Sequence, residues 1–155
     1  MKQQKSEGTC RLCNQTLLQN QVKKHLSMCQ KYQEATDSAE AFIIMARSPP
    51  YWVCFEADAA LTLKKVDQYL RNLWMECCGH LSAFTIDKQR YSSYEEELDY
   101  DEKSMKVKLE DVIGEKTEFS YEYDFGTTTE LSLACVSKTT GNRGLRTIAR
   151  NNPPD

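Results

Sequence analysis

No stretch of the 155-residue chain approaches the ~18–20 consecutive apolar residues that a bilayer-spanning helix needs. The first 30 residues also lack the apolar core of a secretory signal. Together these absences predict a protein of the cytoplasm that does not engage a membrane. Histidine is scarce: His25 and His80 are the only two. There is no Ser/His/Asp set, no phosphate-binding loop and no pair of carboxylates in a recognisable frame, which removes the commonest hydrolase and nucleotide-handling chemistries. Asp124-Phe125-Gly126 has the letters of the kinase metal-binding tripeptide, but the Gly-rich and catalytic loops that would accompany it are missing. No internal repeat or low-complexity tract is present.

Cysteine is not scarce. There are seven (Cys10, Cys13, Cys29, Cys54, Cys77, Cys78 and Cys135), an odd number that includes an adjacent pair. Without a secretory signal this usage predicts metal-bound or buried thiols in a reducing compartment, not a disulfide framework.

Four metal-ligating residues stand at C-x2-C-x11-H-x3-C spacing: Cys10, Cys13, His25 and Cys29. Zinc in structural sites takes four tetrahedral N/S ligands, and this quartet supplies them. A knuckle turn can present the first two thiolates. A helix over about Asn20–Tyr32 places His25 and Cys29 one turn apart on one face, with Leu18, Val22 and Leu26 as a small core behind the ion. Four ligands leave no open coordination position, so the expected cofactor is one structural Zn²⁺. A module of this size buries too little surface to fold alone, so metal binding has to contribute the difference.

Charge is divided unevenly. Residues 1–33 hold six Lys and Arg against Glu7, a net of +5, while the whole chain carries −3. A basic module on an acidic body fits either a polyanion partner or a solvated finger surface. The outward helix face carries Lys23, Lys24 and Met28, the expected partner-binding residues.

The finger resembles the small ubiquitin-binding-type zinc fingers of DNA-repair proteins. The ligand spacing is shared, and Val22-Lys23-Lys24-His25-Leu26-Ser27-Met28-Cys29 is similar to their helix. The resemblance implies a short helix offered to a partner protein. Ser27 stands where those fingers place the acidic residue that helps to hold ubiquitin. Related fingers enter DNA grooves, and Lys23 and Lys24 suit phosphates, so nucleic acid is the competing partner.

After a polar linker at residues 34–40, apolar Ala41–Ala46 and aromatic, β-branched Tyr51–Glu56 predict two buried strands joined at Pro49-Pro50. From Thr62, an expected N-cap, Leu63, Val66, Leu70, Leu73, Trp74 and Cys77 recur at helical spacing. Lys64, Lys65, Asp67, Gln68, Arg71 and Asn72 fill the polar face, and Gly79 marks the stop. A strand follows near Leu81–Asp87. Acidic residues 88–104 predict a surface loop, and Leu109–Ile113 a short helical turn. Phe119, Tyr121, Tyr123 and Phe125 alternate, as do Leu131, Leu133 and Cys135, which predicts a hairpin. Lys138–Gly144 is expected as loop, Leu145–Ala149 as a short last strand and Asn151–Asp155 as a frayed end.

Three of these stretches resemble the plasmid open-reading-frame-three-like family, some members of which are labelled insertion-element passenger proteins of the TnpR type. They are Tyr51–Glu56, Leu70–Phe84 and Tyr121–Gly126, within a likeness that runs from about Phe42 to Arg150. The resemblance implies an α+β fold, a mostly antiparallel sheet packed on helices, and an association with a mobile element or phage. It implies no particular activity. Many relatives follow Asp-Phe-Gly with an acidic residue, a Trp and a His, where this chain has Thr127-Thr128-Thr129-Glu130. Longer relatives continue beyond the Ala149–Asn151 region into cysteine-rich sequence, so a shorter or truncated member is expected here.

The expected organisation is a CCHC finger at 8–33, a linker at 34–40 and an α+β domain at 41–150, acting as a non-catalytic binding or adaptor protein. The alternative is a Cys/His-dependent enzyme acting on nucleic acid of a mobile element, with Cys77, Cys78 and His80 as a second site. Adjacent helical residues point about 100° apart, which is poor geometry for Cys77 and Cys78 to share one ion.

Overall fold

The computed structural model describes residues 7–29, 39–48, 51–73, 81–93, 98, 101–123, 129–141 and 144–151. They form ten strands in a single sheet: β1 (Glu7–Cys10), β2 (Thr16–Leu18), β3 (Ala39–Ser48), β4 (Tyr51–Asp58), β5 (Ser82–Ile86), β6 (Gln89–Ser92), β7 (Glu102–Ser104), β8 (Glu118–Tyr123), β9 (Thr129–Gly141) and β10 (Leu145–Asn151). Helices among them are short: α1 (Val22–Leu26), α2 (Leu63–Leu73) and α3 (Leu109–Val112). The spatial order is β2-β1-β10-β4-β3-β9-β8-β5-β6-β7. Every pairing is antiparallel except β6 with β7. The expected α+β class is therefore corrected to a predominantly β architecture. No described helix is long and apolar enough to cross a membrane.

Both faces of the central strands are covered, which explains why Ala41–Ala46 is continuously apolar instead of alternating. Phe42, Ile44 and Ala46 of β3 join Val53, Phe55 and Ala57 of β4 in a core under α2. Ile43 and Met45, with Trp52 and Cys54, face the other way and meet Leu17, Val22 and Leu26 of the finger. The finger core thus uses Leu17, not the expected Leu18.

Helix α2 starts where the spacing predicts. The Thr62 hydroxyl accepts the Lys65 N–H at 3.4 Å, an N-cap contact. Leu63, Val66 and Leu70 are buried beneath it. The expected Trp74 and Cys77 positions lie outside the described residues.

The predicted loop at 88–104 contains two strands. Arg90 on β6 bonds Glu102 on β7 at 3.0 Å and Glu122 on β8 at 2.7 Å. Cross-strand ion pairs hold polar residues in the sheet where hydrophobic alternation is weak. The β8–β9 hairpin pairs as expected, with Phe119 opposite Leu133 and Tyr121 opposite Leu131. Strand β9 extends through Gly141 where a loop was predicted, because Ala39–Ile43 of β3 pairs along it. Asn151 is also no frayed end: it lies in β10, and its side-chain oxygen accepts the Trp52 N–H at 3.0 Å.

Strand β1 pairs with β10, so the finger's hairpin continues the body's sheet. Gly8 faces Asn151 there, and a Cβ on it would press into the Arg150 carbonyl and the Asn151 nitrogen. Both obstacles are backbone and cannot swing away. Gly8→Ala is expected to cost about 1–3 kcal/mol as overpacking. Hydrogen exchange at the Cys10 and Arg11 amides should accelerate while α2 stays protected; unchanged exchange would contradict the close approach.

Candidate metal centre

Strand β1 delivers Cys10 to the site, and a tight turn brings Cys13 back beside it. The Asn14 N–H donates to the Cys10 carbonyl at 2.8 Å and the Cys10 N–H to the Gln15 carbonyl at 2.9 Å. Asn14 holds a left-handed φ of 66°, a region that Asn tolerates better than most non-glycine residues. This is the knuckle predicted from Cys-x-x-Cys. The Arg11 N–H donates to the Ile148 carbonyl at 2.7 Å, tying the knuckle to β10.

His25 and Cys29 come from the other side. A 3-10 turn over Gln19–Gln21 leads into α1, which holds His25, and a turn follows it. The Cys29 N–H donates to the His25 carbonyl at 2.8 Å, preserving the one-turn spacing after α1 has ended. Val22 and Leu26 point into the sheet and are buried. The helix is shorter than the predicted Asn20–Tyr32 span, of which residues 30–32 lie outside the described set.

The four donor atoms, three Sγ and one imidazole nitrogen, all lie within 4.8 Å of one another. Cys13 Sγ and His25 Nε2 are 3.4 Å apart. A tetrahedral ion at ordinary Zn–S lengths sets sulfurs about 3.8 Å apart, so the residues fit such a metal. Cys10 and Cys29 are buried, His25 is half-buried and Cys13 is exposed. Burial pushes the Cys10 thiol up, opposed by the amides of Cys13 and Leu12, which hydrogen-bond to it. The Gln15 amide, which bonds the Cys13 sulfur, pulls that thiol down. Amide N–H groups aimed at sulfur favour thiolate, the form that ligates metal. Lys23 and Lys24 are exposed, and Met28 is 72% exposed. The proposed second site, Cys77, Cys78 and His80, lies outside the described residues. Cys54 is a buried thiol beneath the finger, and burial pushes it far up from its ordinary value.

A polar cluster that the sequence reading missed lies under α2. Asp67, expected on the solvent face, is 5% exposed. It accepts hydrogen bonds from the Ser82 hydroxyl (2.7 Å), the Tyr121 hydroxyl (2.5 Å) and Arg71 Nε (3.1 Å). Arg71 also donates to Ser82 at 2.7 Å and lies 4.9 Å over the Tyr123 ring. Burial, then the Asp67 charge, pushes the Tyr121 hydroxyl far up, so it remains a donor. The available signal was the i,i+4 pair Asp67–Arg71. The cluster joins two of the stretches that carry the family likeness, Leu70–Phe84 and Tyr121–Gly126.

The described residues define a β protein: a ten-stranded sheet with a Cys3His cluster, able to hold a metal ion, fastened to one face. Residues 43–150 match the family model described as Plasmid pRiA4b ORF-3-like protein, and the chain belongs to that family. The finger ligands precede the matched span. Among solved structures, the chain is similar to the crystal structure of a protein of unknown function, MM3350, from Methanosarcina mazei Go1. The TM-score is 0.59 at 18% identity, over 74% of this chain and 69% of that one. At that identity the likeness is one of fold. No curated protein matches the chain.

Proposed function

We propose that Cys10, Cys13, His25 and Cys29 hold one structural Zn²⁺ and that the protein is a non-catalytic binding protein of a mobile element, acting in the cytoplasm. Its finger presents the outer face of α1 to a partner protein. One observation carries this reading. Met28, in the turn after α1, is 72% exposed and Lys23 and Lys24 on the helix are exposed too, while Val22 and Leu26 on the same helix are buried against the sheet. Exposed methionine is adaptable apolar contact surface, and it stands next to the residues a metal would pin. An ion with four protein ligands has no position left for substrate, which supports a structural metal. The net negative charge outside the finger favours a protein over nucleic acid.

Metal content and capture test the proposal together. Protein purified without chelator should hold about one equivalent of zinc; less than half would overturn the metal assignment. Capture from lysate should retrieve a partner that survives nuclease, and Met28→Glu should weaken that contact by about tenfold or more. Loss of the partner on nuclease treatment would replace the protein reading with a nucleic-acid one.

A further inference from the structure

The finger covers only part of its side of the sheet. Where α1 begins, a hollow of about 230 Å³ opens between the finger and strands β3 and β9. Its floor is apolar, with Met45 opposite Ala134 in the strand register and Val136 beyond. Its two charged lining residues are both cations: Lys23 from the finger and Arg47 from β3. Both are exposed and neither makes an ion pair among the described residues.

Arg47 also lines a second hollow of about 390 Å³, so the two meet at that side chain. There the strand register sets three hydroxyls in a row from Arg47: Ser132 on β9, Ser120 on β8 and Thr85 on β5. Strand spacing puts them about 4.8 Å apart, and none makes a side-chain hydrogen bond among the described residues. Lys88 in this hollow is balanced by Asp87 and Glu118, so the second hollow adds no positive charge.

We propose that this trough binds an extended acidic segment of the partner protein, placing an apolar side chain on Met45, Ala134 and Val136 and a carboxylate between Lys23 and Arg47. It rests on the protein-partner reading above and gives that partner a chemistry. The apolar floor takes a leucine-sized group, for which methionine is an adaptable neighbour. The cations select for acid: two positive side chains without an ion-pair partner among the described residues flank the floor, with no carboxylate among the hollow's lining residues. The hydroxyl row offers donors and acceptors to the segment's backbone as it passes Arg47. A polyphosphate strand suits the trough less well. Its charge recurs at every repeat, so Asp87 and Glu118 would repel it beyond Arg47, where a peptide can present uncharged residues; the first hollow's floor is also aliphatic, without an aromatic face for a base to stack on.

Fluorescence anisotropy on the full zinc-loaded chain provides the test. The probes are short fluorescein-labelled peptides alternating leucine with glutamate, glutamine or lysine, and an oligothymidylate of similar length. The glutamate peptide should bind tightest, and Arg47→Ala should weaken it about tenfold. Arg47→Glu should invert the preference towards the lysine peptide. Arg47 is exposed at the sheet surface, so far-UV circular dichroism should be unchanged. Lys64→Ala, on the exposed face of α2 and outside both hollows, should leave peptide affinity intact. Charge-blind binding, tighter binding of the oligothymidylate, or no binding would each overturn the inference. If Met28→Glu abolishes peptide binding and Arg47→Glu does not, the trough is wrong while the protein-partner reading stands.

Discussion

Stripping the metal from the full chain, or replacing Cys10 by Ser, is expected to shift Trp52 emission to the red and to lower the melting temperature by roughly 10 °C. The reason lies in how the finger is attached. Cys10 and Cys29 belong to the same buried cluster as Trp52, Cys54, Ile148 and Ala149. On the proposed zinc reading, a finger of this size owes its structure to its ion, and the metal's binding free energy is therefore folding free energy. Once the ion leaves, α1 and the knuckle lose their order. Trp52, now fully buried, loses its cover on one face. Exposing large core side chains costs about 1.5–3 kcal/mol each, so uncovering this face costs the body about 3–5 kcal/mol. In a domain of this size that corresponds to a shift of about 2–4 °C per kcal/mol. The measurement belongs in a Trp74→Phe background, where Trp52 is the single reporter. Identical emission and melting with and without metal would show that the four donors do not organise this face of the sheet.

Asp67→Ala should produce a loss of similar size on the opposite face. Three donors converge on this carboxylate, from Ser82, Tyr121 and Arg71. Ser82 and Tyr121 are fully buried. The substitution leaves their hydroxyls and a partly buried guanidinium short of an acceptor. Breaking a buried charge pair from one side costs about 3–5 kcal/mol. Asp67→Asn retains an acceptor oxygen and should cost less. Tyr121→Phe removes one donor and leaves the others paired, so about 1–2 kcal/mol is expected. Urea unfolding of the three variants tests the order. If Tyr121→Phe matches Asp67→Ala, the carboxylate is not the hub of the cluster.

The features legible in the sequence were those with a short-range cause. The quartet from Cys10 to Cys29 shows because ligand spacing is a local constraint. The face of α2 shows because Leu63, Val66 and Leu70 repeat at helical period, and β8 because Phe119, Tyr121 and Tyr123 alternate. Features fixed by distant pairing were hidden. Nothing near Gly8 announces Arg150 and Asn151 across from it. Strands β6 and β7 are held by ion pairs of Arg90 and lack a hydrophobic rhythm, so their charged letters read as loop. Asp67 read as solvent-facing because its partners Ser82 and Tyr121 are 15 and 54 residues away in sequence. The fold class was missed for a related reason. The helices are locally conspicuous, whereas edge strands of three or four residues, such as β2 and β7, carry almost no signal.

The pairing of β1 with β10 also imposes a schedule. The finger's docking strand, Glu7–Cys10, leaves the ribosome well over a hundred residues before Leu145–Asn151, the strand it docks on. At ordinary translation speeds of about 5–20 residues per second the interval is on the order of 10 s. Throughout that interval β1 lacks its partner strand in the body, and the four ligands stand on a nascent chain whose sheet is incomplete. An ion captured early would keep the thiols from oxidation and hold the finger ready to close onto β10. An ion captured late would have to wait for the sheet. The chain's own topology therefore sets how long the ligands wait for that strand, and on the proposed zinc reading a cell short of the metal would encounter this protein first as an assembly problem.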